Sequence, residues 1–359
     1  DTASRLLAAI SSPQAREVEA LKQEVLRLNF EDQGRRQARD AASARIEGKT
    51  QAGLRPWREV VMPHPDVASG RFQQAEFAAD LAQVHRGEGS NEYKEPRDFF
   101  QRTYLTEGLR HLLVNALRRM SGSGGDPVVD LQTGFGGGKT HSLLALYHLF
   151  SGTPAAELAG IEPVLKEAGV AQPPTACRAV LVGTALSPGR VSRKPDGCEV
   201  HTLWGELAWQ LGGKDGYSLV EEDDRKGVSP GSKDLKDLFD LHGPCLVLID
   251  EWVVFLRQLY KVDGLPAGCW EANTAFVQNL TEAAKAADGT LLVVSIPASD
   301  IETGGEGGVR ALEHVKHIVG RIENPWKPAT AEEGFEIVRR RLFQPLADPE
   351  RFAQRDAVV

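Results

Sequence analysis

Near the N-terminus the apolar positions recur at heptad spacing. Val18, Leu21, Val25 and Leu28 alternate with Glu17, Glu19, Lys22, Glu24 and Arg27, which predicts a helix within residues 1–30. Two heptads are too short a run for a coiled coil, so the stripe reads as one face of an ordinary packed helix. Residues 31–55 lose this periodicity and carry Arg35, Arg36, Arg39, Arg45 and Lys49. They read as a solvated helix or linker, with a basic nucleic-acid arm as the alternative. Residues 56–96 are irregular, broken by Pro56, Pro63, Pro65 and Pro96. From Asp98 to Met120 the pattern turns helical again, with Leu105, Leu109, Leu112, Leu113 and Leu117 on one side, and Ser121 to Asp126 ends it.

Beyond that break, short apolar runs alternate with helical stretches. Val128–Leu131, Ala179–Val182, Cys245–Ile249 and Leu291–Ser295 read as strands, with long connections at 151–176 and 212–236. Such alternation predicts an α/β fold, a mostly parallel sheet with helices on both faces. The expected division is an N-terminal helix and linker over 1–55 and a helical, irregular lead-in over 56–120. An α/β nucleotide-binding core over 121–325 and a helical lid begun over 326–359 complete it.

Composition narrows the setting. The chain is 41% hydrophobic and 26% charged with net charge −8, so nothing global advertises a nucleic-acid or membrane surface. Cys177, Cys198, Cys245 and Cys269 are too scattered for a disulfide framework, which favours a reducing cytoplasm. No apolar run reaches the length of a membrane span, and no signal-peptide core opens the chain. The first residue is Asp1, so the sequence reads as an excerpt of a longer protein.

The chemistry begins after the first strand. Thr133-Gly134-Phe135-Gly136-Gly137-Gly138-Lys139-Thr140 follows it directly, and a helix from Ser142 to Leu149 follows in turn. Strand, glycine loop and helix in this order form a phosphate cradle. The glycines let successive N–H groups turn inward, and the positive end of the helix faces the same anion. Lys139 is expected on the β- and γ-phosphates and the Thr140 hydroxyl on magnesium, and His141, which closes the nucleotide-binding run, reads as a packing or supporting residue, with a catalyst as the alternative. Thr133 stands where the strict motif has its first glycine.

A second motif pairs with it. Cys245-Leu-Val-Leu-Ile-Asp250-Glu251 is an apolar strand ending in two carboxylates. A buried parallel strand presents such groups at its C-terminal edge, where open α/β sheets bind ligands. Asp250 is the expected magnesium partner and Glu251 the expected base for the attacking water. A guanine-reading N-K-x-D is absent and Asp240-Leu-His-Gly243 precedes the acidic strand, so adenine nucleotide is expected. Gly227-Val-Ser229-Pro-Gly231 matches a hydrolase elbow without a strand before it, and Cys198-x-x-His201 is half a zinc site without the other half.

Several blocks together resemble one family. They are Trp57-Arg-Glu-Val-Val, Ala75-Glu-Phe-Ala-Ala-Asp-Leu, the run from Phe99 to Leu109, Leu131 to Ser142, Thr202-Leu-Trp-Gly-Glu-Leu-Ala-Trp and Ile249-Asp-Glu-Trp. This set resembles, over about 54–345, the large bacterial ATPases catalogued as domain of unknown function four-nine-nine, within the AAA+ superfamily of P-loop NTPases. The resemblance implies an ATPase using ATP and magnesium, related to the ATPase of BREX-type phage-defence systems. It also implies a homo-oligomer or defence complex with a methyltransferase and a helicase as partners, and DNA as a further one. Members are longer, which implies that the lid is only begun by Val359. AAA+ architecture further implies a polar sensor at Ser295, with Ser299 next. It implies an arginine finger at Arg321, with Arg310 as runner-up, projecting to a neighbouring subunit. Arg339, Arg340 and Arg341 read as a solvated face with packed stems.

Overall fold

The computed structural model describes residues 61–69, 79–133, 138–297, 304–319 and 329–345, all within the compact unit Val61–Val359. The N-terminal helix, its linker and the basic arm of the sequence reading lie outside the described residues.

In chain order, helices α1 (Pro65–Ala68), α2 (Leu81–His85), α3 (Asn91–Lys94), α4 (Pro96–Arg102) and α5 (Glu107–Met120) precede strand β1 (Val128–Thr133). Then follow α6 (Lys139–Leu149), α7 (Glu162–Ala168), β2 (Cys177–Val182), the short strands β3 (Ser192–Arg193) and β4 (Glu199–Val200), and α8 (Leu203–Ser218). Next come α9 (Glu221–Lys226), α10 (Ser232–His242), β5 (Cys245–Asp250), α11 (Trp252–Arg257) and α12 (Trp270–Ala286). Strand β6 (Thr290–Pro297), α13 (Gly305–Val319) and α14 (Ala331–Leu342) complete the described chain.

The four predicted strands form one sheet in the order β1-β6-β5-β2, every pair parallel. Period-two alternation divides their side chains between two layers. Val129, Leu131, Val180, Val182, Leu246, Leu248, Leu291 and Val293 pack with α5, α6 and α7. Val128, Ala179, Leu181, Val247, Ile249, Leu292, Val294 and Ile296 pack with α8 and α10 to α13. Strands β5 and β6 run through the middle, where continuous apolar sequence is required. Strand β2 is an edge, and the Gln210 amide of α8 bonds both main-chain groups of Val180, its N–H at 2.6 Å and its C=O at 3.0 Å. That side chain occupies hydrogen-bonding groups that would otherwise template another strand.

Two expectations change. The helix expected over Asp98–Met120 is two helices broken at 103–106. The Thr103 hydroxyl donates to the Phe99 carbonyl at 2.7 Å, and Thr106 caps α5 by accepting from the Leu109 N–H at 3.1 Å. Threonine hydroxyls compete with the helical ladder in just this way. The two long connections also hold helices: α7 in 151–176, and the end of α8, α9 and the start of α10 in 212–236. The glycines of the second stretch serve close approach. A Cβ on Gly212 would stand 2.3 Å from Nε2 of His242, and Gly213 kinks α8 with φ 58°.

Candidate nucleotide site

The site grows from the C-terminal edge of the sheet. All six residues of β5 are buried, and the strand ends by presenting Asp250, 5% exposed. The chain then turns left-handed: Glu251 has φ 55° and ψ 36° and caps α11. A non-glycine residue held there costs on the order of 1–3 kcal/mol, and such strain gathers at functional positions. The turn leaves Asp250 inside the sheet edge and puts Glu251 on the exposed side of it. Gly183 makes the turn fit. Its N–H donates to the Asp250 carbonyl at 2.8 Å, and a Cβ there would lie 2.0 Å from the Glu251 carbonyl oxygen.

Side chains from three segments close on the two acids. The Thr140 hydroxyl, in the first turn of α6, donates to Oδ2 of Asp250 at 2.9 Å. The Ser295 hydroxyl, on β6, donates to Oδ1 of Asp250 and accepts from the Glu251 N–H at 3.1 Å. The Thr184 hydroxyl, two residues past β2, donates to Oε2 of Glu251 at 2.6 Å. Burial pushes the Asp250 carboxyl above the usual carboxylate range, while the Ser295 and Thr140 hydroxyls and the Lys139 charge pull it back down. An oxygen-only donor set, one carboxylate and one hydroxyl 2.9 Å apart, fits a hard cation that keeps waters and takes its remaining ligands from a substrate.

Across from the acids, Gly138 is left-handed at φ 80° and caps α6, whose first residues are Lys139 and Thr140. Gly134, Phe135, Gly136 and Gly137 lie outside the described residues, and Thr133 ends β1 opposite Pro297. His141 packs toward α4. Its ring lies 4.6 Å from that of Phe99, and Nε2 meets the Thr103 hydroxyl at 3.0 Å. That hydroxyl already donates to Phe99, so His141 carries its proton on Nε2. Burial lowers His141 to about 4, and does the same to His148, whose Nε2 meets the Tyr93 carbonyl at 2.7 Å. Both imidazoles are therefore neutral near pH 7.

Other readings are placed as follows. Arg321 and Ser299 lie outside the described residues, and Arg310 is exposed on α13. Within the arginine triplet, Arg341 is packed: it pairs with Glu92 at 3.0 Å and lies over the Tyr93 ring, while Arg339 pairs with Glu336 on the same helix. Ser229 follows a helix, not a strand, and its hydroxyl donates to the Pro230 carbonyl, so no nucleophile elbow forms. Nδ1 of His201 is taken by Asp224 at 2.9 Å. Sequence reasoning missed Gly183 and Thr184. Their signal was a small residue and a hydroxyl closing the predicted strand Ala179–Val182, legible only once the register Val182↔Asp250 set them beside Glu251.

No curated protein matches this sequence. The family model described as the DUF499 N-terminal domain matches residues 61–326, a span that takes in the sheet, the glycine loop, Asp250, Glu251 and Ser295. By that match over most of its length, the chain belongs to the DUF499 family.

Proposed function

We propose that the chain binds and hydrolyses ATP as an AAA+-type P-loop ATPase. One observation carries the reading: Thr140, Asp250 and Ser295, from three segments far apart in sequence, meet in one hydrogen-bonded cluster beside Lys139 and Glu251. In this reading the loop 133–138 and Lys139 hold the triphosphate, and Thr140 with Asp250 hold magnesium, which would neutralise phosphate charge. Glu251 takes the proton of the attacking water, and Ser295, the polar sensor of this reading, ties the Asp250 carboxylate to the Glu251 main chain. Arg321 acts on the nucleotide of a neighbouring copy. The work done is remodelling of a DNA- or protein-bound complex in a cytoplasmic bacterial phage-defence system, as a homo-oligomer or with methyltransferase and helicase partners.

A second reading, an ATP-gated switch with slow or no hydrolysis, draws on the Thr184 bond that already engages Glu251. Phosphate release by the full-length protein, with and without DNA, decides between them. Lys139→Ala is expected to lose ATP binding. Glu251→Gln is expected to bind ATP and release phosphate about a hundredfold more slowly or worse. Turnover unchanged in Glu251→Gln favours the switch, and undiminished ATP affinity in Lys139→Ala refutes the loop assignment.

A further inference from the structure

The four cysteines are scattered in sequence, yet the fold brings two of them together. Cys177 opens β2 and Cys245 opens β5, and the parallel register makes them Cα partners. Period-two alternation puts both on the face of the sheet that carries Ala179, Leu181, Val247 and Ile249. Adjacent strands lie about 4.8 Å apart, within the separation of about 4.4–6.8 Å that the Cα atoms of a disulfide span. Each cysteine is the first residue of its strand, so the small closure a bond requires falls on strand ends. Neither Cys198, just before β4, nor Cys269, which caps α12, stands in register with another cysteine.

The two sulfurs differ in access. Cys177 is exposed, whereas Cys245 is buried and its thiol donates to the Phe239 carbonyl at 3.7 Å. Burial pushes the Cys245 thiol up to about 12, and the nearby Cys177 sulfur pushes the same way. Cys245 is therefore shielded from oxidants in solvent, and Cys177 meets them first.

We propose that Cys177 and Cys245 form a reversible thiol–disulfide couple, closed by a peroxide and opened by a dithiol, that ties strand β2 to β5. In the first step the Cys177 sulfur attacks one peroxide oxygen and the O–O bond breaks. Cys177 becomes a sulfenic acid, oxidised by two electrons, and hydrogen peroxide is reduced to water. In the second, the Cys245 sulfur attacks the Cys177 sulfur, the S–S bond forms and the S–O bond breaks. The hydroxyl leaves with the Cys245 proton as a second water. Such bonds in reducing compartments are transient and redox-sensing. Strand β2 is an edge, laddered on one side only, so the bond adds a covalent tie to the one neighbour it has. No part of the nucleotide reading enters this inference.

The test treats the reduced protein with hydrogen peroxide, alkylates the remaining thiols and maps the peptides by mass spectrometry. The expected product is a peptide pair joined through Cys177 and Cys245, two hydrogens lighter than the reduced pair and separated again by dithiothreitol. In Cys177→Ser, which alters an exposed side chain, Cys245 is expected to stay a free thiol at the same dose. In Cys245→Ala, Cys177 is expected to stop at the sulfenic acid, which dimedone captures. Amide hydrogen exchange across β2 is expected to slow about tenfold or more in the oxidised wild type and to stay unchanged in treated Cys177→Ser. Over-oxidation of Cys177 with Cys245 still free, a bond from Cys177 to a second copy, or pairing with Cys198 or Cys269 each overturn the couple. Unaltered exchange in β2 after the bond has formed overturns the tie.

Discussion

Two buried aspartates in this molecule behave in opposite ways. Asp224, 0% exposed at α9, is saturated with donors. Its carboxylate accepts from the N–H groups of His201 and Thr202, the Thr202 and Tyr217 hydroxyls at 2.5 and 2.9 Å, and Nδ1 of His201 at 2.9 Å. Gly205 leaves room for it, since a Cβ there would lie 2.1 Å from Oδ1. Asp250, almost as deep, accepts one hydroxyl on each oxygen, from Ser295 and Thr140. A carboxylate offers about four acceptor sites, so Asp224 is full and Asp250 holds capacity in reserve. Saturation marks a structural fastener that ties α8 and α9 to the turn at His201. Reserve capacity in a buried acid at a sheet edge is what the magnesium role proposed for Asp250 would use.

The largest effect expected from this contrast is on stability. Asp224→Ala strands several buried donors at once and should lower unfolding free energy by about 4 kcal/mol. Asp250→Asn should leave stability within about 1 kcal/mol of wild type, because burial already penalises its charge, while abolishing magnesium-dependent ATP binding. Urea denaturation of both variants checks the first pair of values, and equal losses would erase the distinction.

Acid gives the next largest effect, and the sign separates the groups. His148 is depressed to about 4 in the fold, so its contribution is intact above pH 6.5 and is lost as pH falls toward 4. The loss should approach about 3 kcal/mol, and His148→Gln should flatten that limb of a pH-stability profile. Asp250 runs the other way. Its raised carboxyl favours the fold most below the unfolded value of 3.8, and that contribution is lost as pH rises through the folded value. Asp250→Asn should therefore gain on wild type as pH rises from acid to neutral, a trend that a profile of Tm against pH tests directly.

The smallest effect is local. Gly183→Ala sets a Cβ against the Glu251 carbonyl and should cost about 2 kcal/mol, with hydrolysis reduced further than stability alone explains. A variant as stable as wild type would show that the turn at Glu251 is not held from β2.

Much of this was legible in the residues. The four strands were readable because each is a short, mainly apolar run closed by polar or glycine-rich sequence, and all four occur as expected. The acidic pair at the end of β5 was readable because the apolar run before it is closed by two carboxylates, and the proposed phosphate loop rests on its residue types and spacing alone. What misled was glycine and charge between residues 212 and 236. There Gly212 and Gly216 serve helix packing against His242 and the Ala208 carbonyl, which local composition cannot reveal.

By itself, then, the sequence determined the α/β alternation, the glycine-rich run after the first strand and the acidic strand end, since each depends on neighbours in the chain. Only the tertiary structure decided that β6 lies between β1 and β5, which brings the Ser295 hydroxyl to the Asp250 carboxylate and the Glu251 N–H. It also decided that Thr184 reaches Glu251, and that one buried aspartate is saturated while another is not. The physical reason is register. A carboxylate's partners come from strands and helices distant in sequence, and their approach is set by how buried faces pack, which no local pattern encodes.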